Sequence, residues 1–112
     1  MKKTFTILAL TIVFSVNAQV TATATDPSGA SSSAIGLFTT ASGFASTAMG
    51  SETTAEGHYS TAMGVKTIAR GTSSTTMGNS TTASGNFSIA MGFFTTASDF
   101  GSLVIGQYNS SG

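Results

Sequence analysis

The chain has 112 residues, contains no cysteine and carries few charges: four Lys or Arg, four Asp or Glu and one histidine. Without cysteine, it can have neither a disulfide framework nor a cysteine-rich metal site. Beyond residue 18, four acidic residues stand against only Lys66 and Arg70, a net of two negative charges. With no basic stripe to bind phosphate groups, the composition argues against nucleic acid and anionic lipid as partners.

Residues that could carry chemistry are also scarce. His58 is the single histidine, and one histidine without cysteine or clustered acids cannot form a metal site. The many serines lack a base and an orienting partner, and no glycine run opens a helix to bind phosphate. We therefore expect no catalytic residue, no metal, no cofactor and no enzyme activity.

The N-terminal segment has the pattern of an export signal. Lys2 and Lys3 precede an apolar run from Phe5 to Val16, and small residues follow up to Ala18. The run is shorter than the roughly 20 residues that a membrane-spanning helix needs. We predict a signal peptide over residues 1–18 and an exported mature chain, 19–112, that does not span the membrane.

Glycine recurs every seven residues through the rest of the chain. The series starts at Gly29, runs without a slip to Gly92, is interrupted at Asp99 and resumes at Gly106. Odd and even blocks of seven differ, so the true repeat has fourteen residues, with units that begin at residues 22, 36, 50, 64, 78, 92 and 106. Positions 1 to 14 below count from the first residue of each unit.

The repeat favours strands over helices, because a glycine every seven residues would cost a helix about 1 kcal/mol each. Glycine readily adopts the positive φ angles of tight corners. We predict an all-β solenoid of fourteen-residue coils, each with two strands of about five residues. The predicted turn glycines are Gly36, Gly43, Gly50, Gly57, Gly64, Gly71, Gly78, Gly85, Gly92 and Gly106.

Alternation along the strands separates an inner from an outer face. Positions 4, 6, 11 and 13 hold almost only Ala, Ser and Thr, which suits a narrow interior. Position 14 forms an apolar column on the outside, and an exposed apolar column of this length indicates an interface. The column comprises Ile35, Met49, Met63, Met77, Met91 and Ile105. We therefore expect the chain to self-associate.

Two further groups of side chains recur at coil spacing. Glu52 and Lys66 share position 3, and Glu56 and Arg70 share position 7, so each pair is predicted to form an ion pair between neighbouring coils. Aromatic residues also recur at positions 3 and 9, where they either contact a ligand or cover the corners and ends of the solenoid. The candidates for ligand contact are Phe38, Phe44, Phe94 and Tyr108.

The repeated motifs resemble a known family. STAMG at 46–50 and 60–64, SIAMG at 88–92 and TTASG at 39–43 are similar to the head repeats of YadA-like trimeric autotransporter adhesins, and the resemblance covers residues 22–112. It implies a left-handed parallel β-roll, a homotrimer with position 14 packed between subunits, and a place at the bacterial surface. It further implies attachment to host matrix, host cells or other bacteria through an extracellular protein or cell-surface ligand.

Two departures from the family limit what the resemblance implies. The sequence contains neither the coiled-coil stalk nor the β-barrel anchor that known members carry after the head. Some matrix-binding members have asparagine at position 10, whereas other residues stand there in this chain: Ala45, Tyr59, Ser73, Phe87 and Gly101. Collagen binding is therefore not inferred.

Two other functions remain open on the sequence. The Thr column that begins with Thr39 and Thr53 is typical of secreted ice-binding solenoids, although we place that column inside the coil and Ile68 interrupts the outer one. A fibre segment of a phage-like appendage would also be a trimeric repeat, but it would lack the signal peptide.

Overall fold

The computed structural model describes residues 25–112; the predicted signal peptide lies outside the described residues. Two kinds of strand alternate along the chain. The longer strands have five residues: β1 (Ser33–Leu37), β3 (Thr47–Ser51), β5 (Thr61–Val65), β7 (Thr75–Asn79), β9 (Ile89–Phe93) and β11 (Leu103–Gln107). The shorter ones have two: β2 (Thr40–Ala41), β4 (Thr54–Ala55), β6 (Ile68–Ala69), β8 (Thr82–Ala83) and β10 (Thr96–Ala97).

Each kind of strand forms its own parallel sheet. The longer strands build a six-stranded sheet in the order β1-β3-β5-β7-β9-β11, and the shorter ones a five-stranded sheet in the order β10-β8-β6-β4-β2. Within both sheets, each strand residue pairs with the residue fourteen positions away, as Met49 does with Met63 and Ala41 with Ala55. The chain is therefore an all-β parallel solenoid of fourteen-residue coils, which confirms the predicted fold class.

The interior consists of small side chains from both sheets. The alanines at positions 6 and 13, such as Ala55 and Ala62, are fully buried, and the threonines at position 4 and serines at position 11 are almost completely inaccessible to solvent. Thr76 replaces alanine at position 13 and is also fully buried. This agrees with the predicted inner face, because two sheets this close leave no room for larger residues.

The turn role predicted for six of the ten glycines is wrong. The glycines at position 1 lie inside the longer strands rather than at turns. At Gly50, φ is +123°, and a Cβ atom would lie 2.0 Å from the carbonyl oxygen of Gly64 in the next coil. The stacked backbones approach each other so closely at position 1 that only glycine fits there. The column comprises Gly36, Gly50, Gly64, Gly78 and Gly92; at Gly106, in the last coil, a Cβ atom would instead lie 2.7 Å from the side-chain nitrogen of Asn109.

The position 8 glycines do lie at a corner, but close approach again explains them. A Cβ atom on Gly57 would lie 2.1 Å from the carbonyl oxygen of Gly71. The same corner holds Gly43, Gly71 and Gly85. The shorter strand of each coil ends two residues before this corner and has two residues instead of the predicted five.

Non-glycine residues make the bends themselves. Positions 3 and 10 adopt left-handed backbone conformations, with φ of 56° at Glu52 and 58° at Tyr59. The N–H groups of these residues donate to the preceding coil, Glu52 to the Leu37 carbonyl and Tyr59 to the Phe44 carbonyl, each at 2.8 Å. Hydrogen bonds between coils thus stabilise left-handed backbone conformations that L-residues otherwise disfavour.

Candidate functional site

The position 14 column runs across the outer face of the six-stranded sheet. Strand pairing places its six members side by side, one on each strand, at the roughly 4.8 Å spacing of neighbouring strands. The four methionines are half-buried in the single chain, while Ile35 and Ile105 at the two ends are 39% and 57% exposed. The chain thus presents a continuous row of apolar side chains to its surroundings.

The column at position 12 lies on the same face, two residues earlier on each strand, and is separated from position 14 by a buried residue. It reads Ser33, Thr47, Thr61, Thr75, Ile89 and Leu103. Neither column contains a charged residue. An apolar centre without charge is the composition that protein interfaces have at their core.

The charged residues lie elsewhere, at the corner and on the opposite sheet. Lys66 Nζ is 4.0 Å from Glu52 Oε2, and Arg70 Nε donates to Glu56 Oε2 at 3.1 Å. All four side chains are about half exposed, so each pair contributes at most about 1 kcal/mol. The ion pairs instead indicate the register of the coils, because each pair joins two neighbouring coils at the same position of the repeat.

The corner at position 9 contains a contact that sequence reasoning missed. His58 Nδ1 accepts a hydrogen bond from the backbone N–H of Phe44 at 3.0 Å, and Asn86 Oδ1 accepts one from Thr72 at 2.9 Å. The His58 and Phe44 rings also meet edge to face, with centroids 6.4 Å apart. The fourteen-residue spacing of these pairs was the available signal. Within residues 25–112, no group of His, Cys, Asp or Glu side chains is arranged to hold a metal ion.

Aromatic side chains gather in three exposed groups. Phe44 packs edge to face on Tyr59, and Phe87 packs in the same way on Phe100. The third group lies in the last two coils, where Phe94 and Tyr108 stack with ring centroids 5.6 Å apart and Phe93 packs against both. Phe38 is also exposed, in the unit that begins at residue 36. The four candidates for ligand contact thus lie at solvent-exposed corners, two in the unit that begins at residue 36 and two in the last two units.

The threonine columns differ in accessibility. The position 4 column, which begins with Thr39 and Thr53, is fully buried and cannot contact an ice surface. The outer column at position 5 is partly exposed, but Ile68 interrupts it. Across residues 25–112, the structure contains no helix of the length and apolar character that a membrane span needs.

Comparison with known protein families agrees with this architecture. The model of the YadA head domain repeat matches the chain twice, at residues 41–67 and 69–95. No curated protein and no solved structure gives a significant match. YadA head repeats are structural modules of adhesins and not enzymes, and the family implies the head of a trimeric autotransporter at the cell surface. The chain therefore contains two YadA head domain repeats, over residues 41–67 and 69–95.

Proposed function

We propose that this protein is the head region of a bacterial surface adhesin and that it acts as a homotrimer of left-handed rolls. The observation that supports the trimer best is the unbroken position 14 column, which six strands present in register. A chain whose interior contains only small side chains buries little apolar surface by itself. Association through the methionine column adds the apolar burial that a single roll lacks.

Export and attachment complete the proposal. The signal peptide at residues 1–18 directs the chain out of the cytoplasm, and the mature head, residues 19–112, binds an extracellular protein or a cell-surface ligand. Phe38, Phe44, Phe94 and Tyr108 are the ligand-facing residues of the proposal, because each is exposed at a corner of the roll. Contacts repeated along a rigid trimer bind through avidity even when each contact is weak.

The oligomeric state tests the proposal first. Light scattering of the purified mature chain, residues 19–112, is expected to give the mass of three chains, and Met63→Glu/Met77→Glu is expected to lower it towards one. Thr82→Glu/Thr96→Glu is the matched control, since it places the same two charges on the outer face of the other sheet. A monomer with wild-type Met63 and Met77 would contradict the proposed interface.

Attachment is tested separately with beads coated with the chain and incubated with host cells or extracellular matrix. Coated beads are expected to adhere, while the soluble Met63→Glu/Met77→Glu variant is expected to compete poorly. Thermal hysteresis in a solution of a monomeric chain would instead support the ice-binding alternative.

A further inference from the structure

Asp99 stands where the repeat otherwise has glycine. It is the position 8 residue of the unit that begins at residue 92, and it interrupts the glycine series. In the five earlier units, a Cβ atom at position 8 would lie 2.0 to 2.2 Å from the position 8 carbonyl oxygen of the next coil. Those residues are Gly29, Gly43, Gly57, Gly71 and Gly85. Asp99 does carry a Cβ atom, so a further coil cannot stack on it along the same backbone path.

The hydrogen bonds at this corner also change in the last coil. In the unit before, the backbone N–H of Ser84 donates to the carbonyl oxygen of Ala97, at position 6 of the next coil, at 2.9 Å. One coil later, the N–H of Ser98 donates instead to the hydroxyl oxygen of Ser111 at 3.0 Å, and the backbone nitrogen of Asp99 lies 3.5 Å from the same oxygen. Ser111 stands at position 6, which is alanine in the five units before it. A side chain thus replaces a backbone carbonyl as the acceptor.

The backbone leaves the path of the repeat directly after Ser111. Gly112 stands at position 7 with a φ of +87°, whereas no position 7 residue of the five preceding units has a positive φ. The carboxylate of Asp99 lies beside it, since a Cβ atom on Gly112 would be 2.9 Å from Asp99 Oδ1. The chain therefore turns out of the coil at the residue that faces the Asp99 side chain.

A side chain also covers part of the outer edge of β11, the last strand of the six-stranded sheet. Asn109 Nδ2 donates to the carbonyl oxygen of Ile105 at 2.6 Å and would lie 2.7 Å from a Cβ atom on Gly106. At the other position 1 glycines of the strands, that place faces the backbone carbonyl of the next coil, at 1.9 to 2.0 Å. Asn109 replaces the threonine that position 4 has in the earlier units. Its amide therefore occupies space that a further coil would need.

We infer that Asp99, Asn109 and Ser111 form a terminal cap that ends the stack of coils at Gly112, so that any residues after Gly112 leave the roll instead of forming a further coil. Asp99 supplies the steric block, because its Cβ atom is fixed to the backbone. Ser111 and Asn109 satisfy backbone groups that would otherwise pair with the next coil. Solenoids need terminal repeats that differ from the internal ones, and an uncovered strand edge is a site for further pairing.

The roll is lengthened to test the cap. A copy of residues 57–91 is attached directly after Gly112 of the mature chain, residues 19–112, which continues the fourteen-residue period from position 8, completes the last coil and adds two more. The copy contains equivalents of Lys66 and Arg70, and these two residues are the only trypsin sites of the mature chain itself. Trypsin digestion followed by mass spectrometry therefore reports separately on the original and the appended coils.

In the lengthened chain with Asp99, the appended trypsin sites are expected to be cleaved at least roughly tenfold faster than the original ones, because they lie outside the folded roll. Asp99→Gly/Asn109→Thr/Ser111→Ala gives each position the residue that its column has in earlier units, so the fold is expected to persist. The appended sites are then expected to resist trypsin as well as the original sites do. Ser110→Thr is the matched control, since it restores the column residue beside the cap and is expected to leave the appended sites sensitive.

Two partial variants separate the steric block from the hydrogen bonds. Asp99→Gly alone is expected to give most of the protection, because the side chains of Asn109 and Ser111 can rotate away. Asn109→Thr/Ser111→Ala, with Asp99 in place, is expected to leave the appended sites sensitive. Protection in that second variant would overturn the role of Asp99 as the block.

The remaining outcomes are also decisive. Resistance of the appended sites in the lengthened chain with Asp99 would show that the stack continues past Asp99 and would overturn the inference. Sensitivity of the appended sites both with and without the three substitutions would overturn it too, since other features would then stop the stack. If the triple variant does not fold, its original sites become sensitive as well, and Asp99→Gly alone decides. The cap lies within one roll, so these results do not depend on the proposed trimer.

Discussion

His58 Nδ1 accepts a hydrogen bond from the backbone N–H of Phe44, exactly one coil earlier, at a donor–acceptor distance of 3.0 Å. Asn86 makes the equivalent contact with Thr72 two coils later. At this corner, in two of the coils, the N–H of position 9 donates to a side chain of the following coil. A side chain thus continues the hydrogen bonding between coils where the strand ladder stops.

This contact predicts a difference between two substitutions of His58. His58→Ala is expected to lower the free energy of unfolding by about 0.5 to 1 kcal/mol, because it removes one partly solvated hydrogen bond. His58→Asn is expected to preserve stability, since Asn86 performs the same role. Urea denaturation of the two variants checks the prediction, and equal losses in both would show that the imidazole acts through its packing on Phe44.

The position 1 glycines predict a severe effect of adding one methyl group. In Gly64→Ala the new Cβ would lie 2.0 Å from the carbonyl oxygen of Gly78, at a φ of +115°. Neither neighbouring backbone can move without breaking the ladder, so we expect a loss of several kcal/mol or failure to fold. Thermal unfolding followed by circular dichroism measures the stability of the variant against that of the wild-type chain.

Gly101→Ala is the matched control for that change. Gly101 also has positive φ, but nothing lies within 4 Å of the position of its Cβ. Ala45 already occupies the equivalent position with φ of 51°. The expected cost is about 1 kcal/mol, from backbone strain alone. A loss of stability as large as that of Gly64→Ala would show that the positive φ, and not the close approach of the backbones, causes most of the cost of that substitution.

The narrow interior predicts that a leucine substitution destabilises the roll strongly at one residue and only slightly at its neighbour. Ala62 is fully buried between the sheets, so Ala62→Leu is expected to destabilise the roll by about 3 kcal/mol or more through overpacking. Thr61 lies on the outer face and is partly exposed, so Thr61→Leu is expected to change the free energy of unfolding by less than about 1 kcal/mol. Chemical denaturation compares them, and similar losses would contradict the assignment of the faces.

The ion pairs predict a small effect that depends on salt. Lys66→Glu places a second carboxylate beside Glu52 and is expected to cost at most about 1 kcal/mol. The loss should shrink in 1 M salt, where the Debye length falls to about 3 Å. Lys66→Gln, which removes the attraction without adding repulsion, should lose less, and an effect that is insensitive to salt would point to a packing role.

The class of fold was accessible from the sequence because the repeat is strict. Ala, Ser and Thr at positions 4, 6, 11 and 13 exclude a thick core, and the alternation between them and the outer residues determines which side chains point inward. The ion pairs could be predicted from the same periodicity, because residues fourteen positions apart, such as Glu56 and Arg70, lie in contact. Periodicity specifies neighbours wherever every coil has the same shape.

The path of the backbone within each coil was harder to predict from the sequence. Glycine suggested corners at both of its positions, yet Gly50 lies inside a strand and Glu52 makes the bend. The side chains of Glu52, Lys66 and Phe94 do not indicate a left-handed backbone, because hydrogen bonds to the preceding coil impose that conformation. The role of His58 as an acceptor was hidden for the same reason.

The sequence by itself determined the period, the parallel register and the composition of each face, because these follow from which residue types recur at fourteen-residue spacing. Only the tertiary structure decided where the chain bends, which glycines are needed for close approach, and that His58 and Asn86 accept backbone hydrogen bonds from the preceding coil. Those features depend on distances between backbones in adjacent coils, and such distances exist only once the coils are stacked.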